Sequence, residues 1–226
     1  MISFTEENYL KAVYHLSAGG QKAVKTNELA EAMRTKAASV TDMIKKLSKK
    51  GLIHYERYYG VKITSTGKLQ ALQIIRKHRL WETFLVEKLG FAWDEVHPVA
   101  EQLEHIQSTT LINKLDDFLG FPKSDPHGDP IPDKQGKIKP QVLIGLDQLG
   151  PGKNAVITSV KDTDPELLKY LEKIGAKPGK RLQVISRENY DKSIEVLIEK
   201  KRVFLSLEVS KNILLAIKIW RSNENL

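Results

Sequence analysis

Four side chains that commonly bind metal ions lie close together between residues 97 and 105. Glu101, Glu104 and His105 are spaced i, i+3 and i+4, and His97 precedes Glu101 by four residues. In a helix this spacing places all four side chains on one face. Carboxylate oxygens and imidazole nitrogens are ligands for divalent transition metals. The spacing therefore predicts a metal site on a helix.

A second pair of candidate ligands, His78 and Glu82, lies on the preceding helical segment with i, i+4 spacing. If the two helices pack face to face, the two sets of ligands converge as they do in octahedral sites for divalent metals. A Glu-x-x-Glu-His run on a solvated helix face is also common without any metal. Both interpretations remain open from these residues alone.

The composition limits the classes of protein and site. The chain has 226 residues, of which 41% are apolar and 28% are charged, so we expect a folded protein of one large or two to three smaller domains. It has no cysteine, which excludes disulfides, thiolate zinc sites, iron-sulfur clusters and cysteine nucleophiles. We find no apolar run near the ~20 residues of a membrane span and no signal peptide, and so expect a cytoplasmic protein without a membrane partner.

The net charge of +8 is concentrated at the start of the chain. Residues 1–75 carry 12 Lys and Arg against 6 Asp and Glu, whereas the remaining residues carry 24 against 22. A basic excess confined to one segment is typical of a protein that binds nucleic acid, although a cationic solvated surface has the same composition.

Residues 1–65 combine three short helical patterns with a hairpin of two β runs. The third helix covers residues 38–50, and the β runs cover residues 52–57 and 61–64. The order helix, helix, basic helix, hairpin is typical of a winged helix-turn-helix. We therefore predict a DNA-binding domain over residues 1–65, with a purely stabilising hairpin as the alternative for the wing.

The start of the third helix supplies the side chains that would read the DNA sequence, since these positions meet base edges in a helix-turn-helix. Methyl groups there suit thymine, hydroxyl groups bond to either base type, and nearby basic side chains contact phosphates or are merely solvated. The predicted base contacts are Ala37, Ala38, Ser39, Thr41 and Asp42, and the other predicted contacts are Thr26, Lys36, Lys46 and Arg57.

Residues 66–140 are predicted to form a helical domain. One long amphipathic helix covers residues 66–89, and Pro98 fits only in the first turn of the next, which should begin near Asp94 and keep residues 101–105 in its interior. The apolar residues of a third helix, together with Trp81 and Phe91, exceed what a small domain needs for its own core, which favours a dimer interface or a thicker core. The apolar residues in question are Trp81, Phe91, Leu111, Ile112, Leu115, Phe118 and Leu119.

The remaining chain contains a turn-rich stretch and a run of β patterns. Residues 124–132 are interpreted as a structured linker, in which His127 is a loop residue rather than a ligand. Residues 146–226 are predicted to form a small β domain with one helix over residues 165–174. The predicted strands cover residues 154–160, 181–187, 193–198 and 202–207.

Four motifs together resemble the diphtheria-toxin-repressor family of metal-dependent transcriptional repressors, and its manganese-responsive branch most of all. The resemblance covers essentially the whole chain. The motifs are Glu7-Asn8-Tyr9-Leu10, Arg76-Lys77-His78-Arg79-Leu80, His97-x-x-x-Glu101-x-x-Glu104-His105 and Asp125-Pro126-His127-Gly128-Asp129-Pro130-Ile131-Pro132.

The resemblance implies a mainly α fold with a small β part: a winged helix-turn-helix, a helical metal-binding and dimerisation domain, and a C-terminal SH3-like domain. It implies a homodimer that binds a palindromic DNA operator when loaded with Mn(II) or Fe(II), and that controls metal-uptake genes. It also implies two metal sites per subunit. The primary site would use Glu101, Glu104, His105 and Asn8, and the ancillary site would use His78, Glu82, His97 and an acidic residue of the last domain, Asp164 or Glu166.

Two positions depart from the family pattern. Iron-responsive relatives have a sulfur ligand where this chain has Glu101, and a carboxylate or thioether usually replaces the amide of Asn8. A carboxylate at position 101 favours Mn(II), a harder cation.

Two other functions are compatible with parts of the pattern. A metallohydrolase could use the Glu101, Glu104 and His105 cluster, but the H-E-x-x-H spacing of zinc peptidases and the paired E-x-x-H of di-iron bundles are absent from the sequence. A metal-independent winged-helix protein would bind DNA equally well without these ligands.

Overall fold

The computed structural model describes residues 2–56, 58–161 and 163–216. Arg57, one of the predicted DNA contacts, lies outside the described residues. Within the described chain, no helix is long and apolar enough to cross a membrane. The chain divides into two compact units: the first comprises Met1–Trp81, Val99–Phe121 and Ile131–Ile138, and the second comprises Glu82–Pro98, Pro122–Pro130 and Lys139–Leu226.

The helices are α1 (Phe4–Leu16), α2 (Thr26–Ala32), α3 (Ala37–Lys49), α4 (Ser65–Leu89), α5 (Val96–Leu103), α6 (Thr109–Phe118), α7 (Pro165–Ile174) and α8 (Leu207–Asn212). The strands are β1 (Ile53–Glu56), β2 (Gly60–Ile63), β3 (Leu143–Gly145), β4 (Asn154–Val160), β5 (Arg181–Arg187), β6 (Ile194–Ile198), β7 (Lys201–Leu205) and β8 (Ile213–Ala216). A short 3₁₀ turn covers Leu146–Gln148.

The first unit begins with a helix whose start is fixed by a capping box. Ser3 accepts a hydrogen bond from the backbone N–H of Glu6, and the Glu6 carboxylate accepts one from the backbone N–H of Ser3. Leu10 and Val13 from α1 are completely buried against apolar residues of the following helices and hairpin. The other members of this core are Tyr9, Val24, Leu29, Val40, Ile44, Leu47, Leu52, Ile53, Val61 and Ala71.

The hairpin of β1 and β2 follows α3, as predicted. Its strands pair antiparallel, and Val24 adds an isolated bridge to Val61. Gly60, at φ +101°, is required here because a Cβ atom would lie 2.5 Å from the Val24 carbonyl oxygen. Three helices followed by this wing are the winged helix-turn-helix expected from the sequence.

Helix α5 is shorter than the sequence suggested. A turn closed by the Glu95 N–H and the Ala92 carbonyl delays its start to Val96. The helix ends at Leu103, because the chain turns there through a hydrogen bond from the Ile106 N–H to the Leu103 carbonyl. The prediction that residues 101–105 all lie inside a regular helix is therefore wrong for the last two positions.

Only some of the apolar residues that the sequence predicted for a dimer interface are exposed. Ile112, Leu115 and Trp81 are buried within the first unit, whereas Leu111 and Phe118 on α6 are 40% and 64% exposed. The residues available on the surface of α6 are thus fewer than the sequence suggested.

The second unit contains a six-stranded sheet in the order β3-β8-β4-β5-β6-β7. All of its pairings are antiparallel. Its core combines sheet residues such as Val184 and Val196 with Leu168 and Leu171 of α7. Asp164 is the N-cap of this helix and Gly175 is its C-cap. Sequence patterns located β4, β5, β6, β7 and α7 but missed β3, α8 and β8.

Candidate metal centres

The buried carboxylate of Glu104 is the centre of a polar cluster in the first unit. Glu104 has no exposed surface. Its backbone N–H donates a hydrogen bond to the Ala100 carbonyl, as in a helix. One carboxylate oxygen lies 2.6 Å from Nδ1 of His78, and the other accepts a hydrogen bond from the Lys11 ammonium at 2.7 Å. We call Glu104, His78, Lys11, Glu7 and His105 the Glu104 cluster.

Glu7 joins α1 to the segment that follows α5. Its Oε2 atom lies 2.5 Å from Nδ1 of His105, and its Oε1 atom accepts a hydrogen bond of 2.9 Å from the amide of Gln107. Oε1 also lies 3.8 Å from the Lys77 ammonium. Glu7 was not among the predicted ligands, so its place among the candidate ligands is a structural finding.

The charges of the Glu104 cluster are largely balanced within the protein. Burial alone would raise the pKa of Glu104, but hydrogen bonds and positive charge from His78 and Lys11 hold it below its usual value. Burial lowers the pKa of Lys77, and the nearby carboxylates of Glu7 and Glu104 oppose that shift. Two buried carboxylates thus face two lysines.

The other predicted members of the primary site lie at the edge of this cluster. The Glu101 side chain is 51% exposed and its Oε1 atom is 3.6 Å from the Lys11 ammonium. Asn8 is half-buried on α1, beside Glu7 in the chain. His78, predicted for the ancillary site, hydrogen-bonds to Glu104 of the predicted primary site.

A second set of buried ligands lies in the second unit. Ligand atoms of Glu82, Asp125 and His127 all lie within 4.8 Å of one another, and all three residues are buried. We call these three residues the Glu82 cluster. His97 contacts it at the surface, with Nδ1 at 3.2 Å from Oε1 of Glu82 and a side chain that is 44% exposed.

A tight turn brings Asp125 and His127 to this position. The Asp125 Oδ1 atom accepts hydrogen bonds from the N–H groups of His127 and Asp129, at 2.9 and 3.0 Å. Gly128 has φ +90°, and a Cβ atom there would lie 1.9 Å from the Thr158 carbonyl oxygen. The interpretation of His127 as a loop residue rather than a ligand did not anticipate this buried position.

The ring of His127 is fixed in orientation by its neighbours. Nε2 lies 2.8 Å from the Trp93 carbonyl, which can only accept, so Nε2 carries a proton. Nδ1 faces the Glu82 carboxylate at 3.8 Å. The ring stacks on the Trp93 indole at 5.7 Å between centroids. Burial would lower the pKa of His127, but the Glu82 and Asp125 carboxylates outweigh it and raise the pKa.

The Glu82 cluster fits a divalent cation by the chemistry of its donors. Two carboxylates and one neutral imidazole suit Mn(II), Fe(II) or Zn(II), and the backbone partners of Asp125 and His127 are the outer contacts that orient such ligands. Asp164, predicted as an extra ligand, caps α7 by accepting hydrogen bonds from the N–H groups of Glu166 and Leu167.

The sequence contained a signal for the missed ligands. Asp125 and His127 lie in an Asp-Pro-His-Gly turn, and Asp is a residue that hydrogen-bonds to the backbone two positions on. What it could not show was that Glu82, more than 40 residues earlier, would lie beside this turn.

The start of α3 presents the side chains predicted to read DNA. Ala37, Ala38, Ser39, Asp42 and Lys46 are exposed, as is Lys36 at the N-cap. Thr41 is half-buried, and its hydroxyl donates a hydrogen bond to the Ala37 carbonyl at 2.9 Å. Thr26, half-buried, is the first residue of α2.

Family models match three consecutive parts of the chain. Residues 1–61 match the N-terminal DNA-binding domain of iron-dependent repressors, and residues 64–133 match the metal-binding and dimerisation domain of the same repressors. Residues 144–217 match the FeoA domain.

Individual proteins show the same relationship. The chain is 30% identical to the iron-dependent repressor IdeR of Mycobacterium leprae over 70% of this chain and 63% of that protein. It is 29% identical to the diphtheria toxin repressor of Corynebacterium diphtheriae over 66% of this chain and 60% of that protein. The chain thus spans less than two thirds of the length of both.

A solved structure extends the match to almost the whole chain. A manganese-dependent transcriptional repressor in complex with manganese has a TM-score of 0.82 and 36% identity, covering 93% of this chain and 99% of that one. The predicted fold class, with its winged helix-turn-helix, helical domain and SH3-like domain, is confirmed. This family consists of repressors rather than enzymes, so the metallohydrolase hypothesis is not supported. The chain belongs to the diphtheria-toxin-repressor family of metal-dependent, DNA-binding transcriptional repressors.

Proposed function

We propose that this protein is a cytoplasmic repressor that binds a palindromic operator as a homodimer when loaded with Mn(II) or Fe(II), and that it controls metal-uptake genes. The observation that carries the proposal is the Glu82 cluster, in which three buried donors converge. The name of the solved relative, a manganese-dependent repressor, favours Mn(II). The absence of a sulfur ligand from this cluster agrees with that choice.

We propose two metal sites per subunit. Glu82, Asp125 and His127 would hold one cation, with His97 beside them. Glu104, His105, Glu101 and Asn8 would hold the other, with Glu7 and His78 as additional donors. Lys11 occupies one Glu104 oxygen, so binding there requires this lysine to move. Asp164 caps α7 and stays a predicted extra ligand of the ancillary site.

The proposed role of the cation is electrostatic. Carboxylates held close together repel one another, and a divalent cation offsets that repulsion and fixes the elements that carry them. Glu7 on α1 and His105 after α5 are already in contact, so ordering the Glu104 cluster restrains α1 within the DNA-binding domain, residues 1–65. By linkage, metal and operator then strengthen each other's binding.

For the DNA interface we propose the start of α3 as the reading surface. Ala37, Ala38, Ser39 and Asp42 would face base edges, and Lys36 and Lys46 would contact phosphates. The exposed Leu111 and Phe118 of α6, in the helical domain of residues 66–140, would lie in the dimer interface. The C-terminal domain, residues 146–226, supplies the SH3-like fold.

The test begins with a duplex selected from a randomised library in the presence of Mn(II), because the operator is unidentified. Wild type, Glu82→Gln and the exposed control Glu87→Gln are compared by fluorescence anisotropy on this duplex, with Mn(II) and with chelator. We expect Mn(II) to increase the DNA affinity of wild type and of Glu87→Gln but not that of Glu82→Gln. Equal wild-type affinity after chelation would identify a metal-independent DNA-binding protein instead.

A further inference from the structure

The carboxylate of Glu6, next to Glu7 in the chain, makes two contacts at once. Its Oε1 and Oε2 atoms lie 2.7 and 2.8 Å from the Lys50 ammonium, and Oε2 also accepts the capping hydrogen bond from the Ser3 N–H at 2.7 Å. The Glu6 side chain is 8% exposed and that of Lys50 is 40% exposed. This ion pair is partly shielded, so its charges interact more strongly than on an open surface.

Lys50 is placed at the end of the proposed reading helix. It is the C-cap of α3, and its N–H bonds to the Lys46 carbonyl. The ion pair therefore joins the first turn of α1 to the last turn of α3. Both helices also contribute apolar side chains to one core, including Leu10 and Ile44. Apolar packing is non-directional, whereas an ion pair with two oxygen contacts fixes position.

Glu6 and Glu7 connect the same turn of α1 to different elements. Neighbouring helical residues are about 100° apart around the axis, so their side chains leave in different directions. Glu7 contacts His105 of the Glu104 cluster, and Glu6 contacts Lys50 of the reading helix. The first turn of α1 thus contacts both the Glu104 cluster and the C-terminal end of α3.

We propose that Glu6 and Lys50 are positioning residues, and that their ion pair transmits the state of the Glu104 cluster to the reading helix. This inference rests on the proposed function. When the Glu104 cluster is ordered, the first turn of α1 is held in place, and Glu6 then holds the C-terminal end of α3. Without the pair, metal binding persists but its effect on DNA affinity is weaker.

Glu6→Gln isolates the charge, because glutamine at this position still accepts the capping hydrogen bond. Lys50→Met removes the other partner, and Lys50→Arg keeps its charge. Glu31→Gln, an exposed position on α2, is the control for the same change in net charge. For each variant, the ratio of duplex dissociation constants with chelator and with saturating Mn(II) is measured by anisotropy on the selected duplex. Bound Mn(II) is counted separately by electron paramagnetic resonance.

We expect Glu6→Gln and Lys50→Met each to reduce this ratio about fivefold, as loss of a partly exposed ion pair of ~1 kcal/mol would do. Mn(II) binding without DNA should stay unchanged, and Lys50→Arg and Glu31→Gln should keep the wild-type ratio. An unchanged ratio in both Glu6→Gln and Lys50→Met, even with a lower melting temperature, would overturn the proposal.

A second result would also overturn it. If Lys50→Met weakens DNA binding equally with and without Mn(II) and lowers the log–log salt slope by about one, Lys50 is a phosphate contact instead. If the proposed function itself is wrong, the ratio of dissociation constants with chelator and with Mn(II) is one already in the wild type.

Discussion

Nδ1 of His105 lies 2.5 Å from the Oε2 atom of Glu7, and the two residues are 98 positions apart in the chain. The contact ties the first turn of α1, within the DNA-binding fold, to the segment after α5 that carries the candidate ligands. The Phe4 ring stacks on His105 at 4.7 Å and reinforces it. A change at the Glu104 cluster is therefore also a change at the start of the DNA-binding domain.

Replacing Glu7 tests this connection. Glu7→Gln removes the charge of a proposed donor that also orients His105. Loss of a partner that orients a ligand alone costs about 10- to 100-fold in metal affinity. We expect one Mn(II) equivalent to bind that much more weakly in an isothermal titration, while the other is unaffected. Glu28→Gln, an exposed residue of α2, is the control, and equal loss in both variants would contradict the assignment.

Replacing Lys11 should have the opposite effect. The Lys11 ammonium neutralises Glu104 at 2.7 Å, so Lys11→Met leaves a buried carboxylate without that cation. We expect a lower melting temperature in chelator and tighter Mn(II) binding, which restores the melting temperature. Weaker Mn(II) binding in Lys11→Met would show that the lysine supports the metal site rather than competing with it.

Trp93 should report metal binding in the second unit. Its indole stacks on His127 at 5.7 Å, and a paramagnetic ion bound by that histidine quenches nearby fluorescence. In a Trp81→Phe, Trp220→Phe background, we expect Mn(II) to quench Trp93 emission and Zn(II) to quench it less. His127→Gln should abolish the Mn(II) effect. Quenching that survives this change would place the cation elsewhere.

Replacing Arg76 should change only the stability of the protein. Its guanidinium donates hydrogen bonds of 2.7 Å to the Asp116 carboxylate and to the Pro132 carbonyl, and both charged residues are buried. Arg76→Met leaves Asp116 buried and unpaired, which costs about 3–5 kcal/mol. Urea unfolding measures this loss. The double variant with Asp116→Leu should recover most of it, and failure to do so would show that the Pro132 contact dominates.

Lys46 tests the proposed DNA surface. It is exposed on α3, and a phosphate contact contributes about one unit to the slope of log affinity against log salt. We expect Lys46→Ala to reduce that slope by about one without changing which duplex is selected. Lys173→Ala, at an exposed position of α7, should leave the slope unchanged. A changed duplex preference in Lys46→Ala would mean that this lysine contacts bases.

Local sequence patterns were sufficient for much of the fold. The capping residues Ser3 and Glu6, the apolar stripe of α3 and the turn around Gly60 act over a few residues, so their types and spacing identify the helices and the wing. The same local logic located α7 but missed β8, whose strand identity depends on pairing with β4 and β3. Pairing between distant strands has no short-range signal.

Some candidate ligands were identified by local spacing in the sequence, and others only by the tertiary structure. Spacing alone singled out Glu104, His105, His78 and Glu82, because a helix repeats every 3.6 residues and brings nearby positions to one face. Only the tertiary structure decided that Glu7 joins His105 and that Asp125 and His127 join Glu82. These contacts form between residues tens of positions apart, and they depend on the packing of helices and of the Asp125 turn rather than on any local repeat.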